Sequence, residues 1–73
     1  MNQKQRIEKY INEFGSITPM DAFMDLGITK LATRISEMIR DGMLIEKKSV
    51  NAKNRFGKPV TYMSYSIRSD DNG

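Results

Sequence analysis

The 73-residue sequence contains no cysteine and no histidine. Without thiols, neither a disulfide nor a thiolate metal site is available to hold the fold together. Without either residue type, the commonest nucleophile, proton shuttle and transition-metal ligands are missing. No glycine-rich phosphate cradle is present, and Asp70-Asp71-Asn72 is too short to form a calcium loop. An enzyme is therefore not expected, and no cofactor or metal is called for. No apolar run approaches the roughly 20 residues needed to span a bilayer. Met1 to Arg6 lacks the apolar stretch of a secretory leader, so the cytoplasm is the default compartment and no membrane partner is expected.

What is present supports one small domain. Hydrophobic residues make up 38% of the chain, enough for a single modest core. The domain is expected to span residues 1–68, with residues 69–73 a disordered tail. Net charge is only +3, but it is unevenly placed. Six basic and six acidic residues balance over residues 1–42. Lys47, Lys48, Lys53, Arg55, Lys58 and Arg68 then face Glu46 alone over residues 43–68. Such a surface suits phosphates, and suits equally a merely solvated hairpin.

The spacing of Ile7, Tyr10, Ile11 and Phe14 predicts a helix from about Asn2 to Glu13, ended by Gly15. Ile17 is too isolated for a strand of its own but could pair at the edge of a later sheet. Thr18-Pro19-Met20-Asp21 is a helix start: a threonine N-cap, a proline in the first turn and a capping-box carboxylate. Ala22, Phe23 and Leu26 then fall on the buried side of a second helix, with Met20 and Met24 roughly opposite. Gly27 supplies the tight turn, and Thr29 is expected to cap a third helix. That helix buries Leu31, Ile35, Met38 and Ile39 on one stripe. Thr29, Lys30, Thr33, Arg34, Glu37 and Arg40 lie on its other side, and Gly42 ends it.

Beyond Gly42 the hydrophobic period changes to that of strands. One strand runs from Met43 to Val50. A second runs from Val60 to Ile67, with Thr61, Met63, Tyr65 and Ile67 on one face and Val60, Tyr62, Ser64 and Ser66 on the other. The residues between, Asn51 to Pro59, read as a basic hairpin loop. Three helices followed by a two-stranded hairpin that must pack on them make an α+β winged helix-turn-helix. The helices contribute Ile11, Phe14, Ala22, Leu26, Leu31, Ile35 and Met38 to its core.

Taken together, Ile17-Thr18-Pro19, Asp21-Ala22, Leu26-Gly27-Ile28, Leu31, Arg34-Ile35, Gly42, Gly57-Lys58 and Tyr65 resemble a small winged helix-turn-helix family common in bacteriophages and prophages. The resemblance covers about Gln3 to Ile67 and implies the winged fold and double-stranded DNA as partner.

Read from the residues, the third helix enters the major groove. Lys30, Thr33, Arg34 and Glu37 project there, and Thr29 and Lys30 near the helix start meet phosphate. Arg34 either bridges guanine O6 and N7 or forms an ion pair with Glu37 on the same helix. At the wing, Lys53, Asn54, Arg55 and Lys58 meet the backbone or minor groove. Phe56 either folds back over the hairpin or wedges against a partner. The expected function is sequence-specific DNA binding by a small phage-type transcriptional regulator, and a homodimer is a candidate state. The alternative is a module that binds or inhibits a host or phage protein, with Met20 and Met24 as its interface.

Overall fold

The computed structural model describes residues 1–68; the tail expected over residues 69–73 lies outside them. Helix α1 spans Gln3–Phe14. Its start is a capping box: the Asn2 side chain accepts from the Gln5 N–H at 2.8 Å, and the Gln5 side chain accepts from the Asn2 N–H at 3.0 Å. Ile7 and Ile11 are buried and Tyr10 half-buried. Phe14, expected in the core, is instead 67% exposed, lying against Tyr10 with ring centroids 4.6 Å apart. The chain turns at Gly15 and puts Ile17 in the core at this end, which leaves Phe14 at the rim.

Helix α2 begins as Pro19–Asp21 and continues in π geometry over Ala22–Leu26. The start predicted from Thr18 is present as a reciprocal pair. The Asp21 N–H donates to Thr18 Oγ1, and the Thr18 N–H donates to Asp21 Oδ2, both at 3.1 Å. Ala22 is fully buried and Leu26 half-buried, but Phe23, expected beside them, is 56% exposed. The π turn closes over five residues instead of four, so it is underwound. Leu26 then comes closer to lying above Ala22, and Phe23 is swung off the buried side.

Gly27 ends α2 in the left-handed region, φ 69° and ψ 24°, where a side chain would be strained. The next N–H, that of Ile28, donates to the Ala22 carbonyl at 2.9 Å. Helix α3 spans Leu31–Arg40, and its N-cap is Lys30, not the expected Thr29. Ile28 and Leu31 are both buried, and holding both in the core delays the helical dihedrals until Leu31. Leu31, Ile35 and Met38 are buried as predicted, while Ile39 sits at the edge of the stripe, 38% exposed.

Strands β1 (Ile45–Lys53) and β2 (Pro59–Ile67) pair antiparallel, from Ile45 opposite Ile67 to Lys53 opposite Pro59. The ladder runs further than the sequence suggested. Asn51, Ala52 and Lys53 are strand, and only residues 54–58 form the loop. Ile17 pairs with Tyr65 on the other edge of β2 through two backbone hydrogen bonds of 2.8 and 2.9 Å. At its base, therefore, β2 lies between β1 and a one-residue third strand. Tyr65 closes the core formed by Ile7, Ile11, Ile17, Ala22, Ile28, Leu31, Ile35 and Met38. Toward the tip the ribbon leaves that core, and Lys53 through Tyr62 are exposed.

Candidate nucleic-acid interface

One side of α3 is committed to the core and the opposite side is free. Thr33, Ser36 and Arg40, spaced three and four residues apart, are exposed on the flank away from Leu31, Ile35 and Met38. Thr29 and Lys30 are exposed just ahead of the helix. Lysine has no acceptor, and the helix start carries no side-chain cap. Among the described residues, its first-turn N–H groups and the positive end of its dipole thus have no side-chain cap. Ser36 and Arg40 are not among the DNA-facing residues expected from the sequence, although their spacing from Thr33 marks the same face.

Arg34 is placed differently. Its Nη1 donates to Glu37 Oε1 at 2.7 Å, with the two side chains only 31% and 33% exposed. Its Nε is buried and has no hydrogen-bond partner among the described residues. The guanidinium is held along the side of α3, next to the core stripe, by the ion pair that the sequence offered as the plainer alternative.

Helix α1 locks the position of this unit from behind. Arg6 Nη2 donates to the Leu26 carbonyl at 2.9 Å, satisfying a backbone acceptor at the end of α2. The Tyr10 hydroxyl donates to Asp25 Oδ2 at 2.6 Å. That bond to a carboxylate, with lesser contributions from burial and from the charges of Asp21 and Asp25, pushes the Tyr10 pKa from 10.0 up to about 12. At the far end of α3, Lys4 Nζ reaches Asp41 Oδ2 at 3.2 Å. This last pair is exposed and contributes little to stability. None of these three ties was foreseen, because tertiary partners 15 to 37 residues apart have no local signature.

The tip of the wing is built around Asn54. Its side-chain oxygen accepts from the Phe56 N–H at 2.9 Å and the Lys58 N–H at 3.0 Å. Its own N–H donates to the Lys58 carbonyl, and its carbonyl accepts from Gly57, both at 2.9 Å. Gly57, at φ 79°, makes the left-handed step that this closure needs. The turn thereby uses the Asn54 oxygen that the sequence had offered to a partner. Lys53, Arg55 and Lys58 are all exposed, and so is Phe56, at 82%. Phe56 does not fold back over the hairpin: the tip stands too far out for its ring to reach the core.

Behind α3, Met20 and Met24 are 66% and 69% exposed as expected, and Phe14 and Phe23 are exposed too. A cleft between α1 and α2 is lined by Arg6, Lys9, Tyr10, Glu13, Phe14 and Asp25 among others. Among the described residues, no group of three or more His, Cys, Asp or Glu could hold a metal ion. No helix among them is long and apolar enough to cross a membrane.

Compared with known families, the chain matches the family described as a winged helix-turn-helix domain over residues 2–70. No curated protein and no solved structure matches it.

Proposed function

The chain belongs to the winged helix-turn-helix domain family, a fold that supports DNA binding in general, and from that premise we propose that it is a sequence-specific regulator of transcription of the small phage type. Helix α3 lies in the major groove and the wing lies on the backbone or in the minor groove. The observation that carries this reading is the one-sided packing of α3. Its free flank and uncapped N-terminus belong to the same small domain as a ribbon whose tip bears Lys53, Arg55 and Lys58 and no acid.

Thr33, Ser36 and Arg40 face base edges along the free flank, where hydroxyls and a guanidinium can read donor and acceptor patterns. Thr29, Lys30 and the open helix start meet a phosphate. Lys53, Arg55 and Lys58 supply the strand contacts, and Asn54 supports them by holding the turn. Arg34 reaches a guanine only by leaving Glu37, so Glu37 acts as a brake on that contact. A domain of this size covers little DNA, and a dimer on paired half-sites is the assembly that would give useful specificity.

Fluorescence anisotropy with duplex DNA at several salt concentrations tests the proposal. With three or four phosphates neutralised, log affinity falls against log salt with a slope of roughly −3 to −4. Absence of binding even at low salt would refute it.

The exposed Phe14, Met20, Phe23 and Met24 favour a second reading, a module that docks on a host or phage protein. Charge reversal of Arg55 and Lys58 separates the two. It abolishes DNA binding, whereas a partner seated on α2 does not register it.

A further inference from the structure

We infer that Phe56 is a wedge: on duplex DNA the wing tip drives this ring between two base pairs and kinks the duplex there. The inference rests on the DNA reading above and adds a role for an apolar side chain that neutralising phosphates does not use.

Among the large apolar side chains described, Phe56 is the most exposed. It sits between Arg55 and Gly57 at the outermost turn, with Lys53 and Lys58 flanking the loop. Its backbone is pinned, since its N–H is held by the Asn54 side chain at 2.9 Å and the following Gly57 is in the left-handed region. The ribbon that carries it is stiffened on both faces. Val50 opposite Tyr62 and Ala52 opposite Val60 make an apolar seam on one face, and Thr61 Oγ1 donates to Asn51 Oδ1 at 3.0 Å on the other. Nine paired residues at roughly 3.3 Å each give a rod of about 30 Å.

An aromatic ring held in water at the end of such a rod adds nothing to the fold. Beside three cations it is delivered to a phosphate-lined groove, where the apolar stack of bases is the one environment that would bury it. A phenyl ring carries no donor or acceptor and cannot read a base edge. It senses instead how easily a step unstacks, which favours flexible pyrimidine–purine steps under the wing.

The test uses a duplex selected from a random pool by the wild-type protein, carrying 2-aminopurine at successive positions and a fluorophore pair at its ends. The wild type should raise 2-aminopurine fluorescence at one step near the edge of its footprint and bring the duplex ends closer. Phe56→Ala removes no side-chain hydrogen bond and no core contact, so its Tm should equal that of the wild type. It should lose both signals, bind about tenfold more weakly and keep the same salt slope. Phe56→Leu, which keeps an apolar wedge, should retain most of both signals.

If the wild type binds without local unstacking, or Phe56→Ala keeps both signals and full affinity, the wedge is refuted while the DNA reading stands. If no duplex is recovered at low salt, both fall. A Phe56→Ala protein unimpaired on DNA but unable to bind a protein or vesicle that the wild type binds would assign the ring to that partner and refute the wedge.

Discussion

The helical base and the outer wing use the same small alphabet for opposite ends. In the base, Ile7, Ile11, Ile17, Ile28, Leu31, Ile35 and Met38 are buried in one core, and acids and bases balance over residues 1–42. In the outer ribbon, from Val50 to Tyr62, every charged side chain is cationic and Phe56 is left in water. Substitutions in the base should therefore be read in stability, and substitutions in the outer wing in binding. Helix α3 belongs to both regions, since one face is core and the other is free.

The sharpest break between the two comes from Ile35→Ala. Ile35 is 1% exposed at the centre of the core, and its truncation should cost about 2–5 kcal/mol. Total stability for a domain of this length is on the order of 4–11 kcal/mol, so thermal denaturation should show a severely weakened or unfolded protein. Replacing Lys53, Arg55 and Lys58 together by glutamine should leave Tm almost unchanged. It should lower DNA affinity at 0.1 M salt by on the order of a hundredfold and flatten the salt slope by about three. A large fall in Tm would show that the wing is part of the stability core after all.

Next in size, Thr18→Ala removes one half of the α2 capping box and should destabilise by about 1 kcal/mol in urea titrations, with DNA affinity unaltered. Glu37→Gln blurs the division, because it acts on α3 where the two regions meet. It releases Arg34 and takes an acid from the DNA side, so affinity should rise by about threefold in the anisotropy assay. No change would mean that Arg34 serves only to hold the helix side.

The smallest effect concerns Tyr10. Its folded pKa is raised above its ordinary value, so its stabilising contribution is complete below pH 10 and disappears as pH climbs toward 12. Absorbance titration at high pH should show a tyrosine ionisation near pH 12, and Tyr10→Phe should remove that step.

Most of the helical frame could be read from local chemistry. Helix α1 starts at Gln3, one residue beyond the predicted start at Asn2, Thr18 and Asp21 form the predicted capping box, and Gly27 takes the predicted left-handed turn. Ile17 paired at the sheet edge, as its isolated position allowed. Phe23 was misplaced because ideal helical spacing does not register a π turn. Thr29 was misplaced because two buried neighbours, Ile28 and Leu31, overrode a favourable cap. The loop is shorter than the sequence suggests because Asn54, by closing the turn on its own side chain, lets pairing continue to Lys53.

The candidate interface was less legible than the fold. Composition placed the cations of the wing correctly on an exposed hairpin, but periodicity alone could not tell an exposed Arg40 from an Arg34 paired with Glu37.

By itself, the order of residues determined where helices start and stop, which stripe of each is apolar and where positive charge gathers, since those depend on neighbours a few positions away. Only the tertiary structure decided that Arg6 and Tyr10 clamp the end of α2, that Phe14 and Phe23 are left out of the core and that Phe56 stands out in water. Those outcomes depend on which surfaces meet when distant segments pack. A side chain takes its partner from what is near it in space, and that is settled only when the core closes.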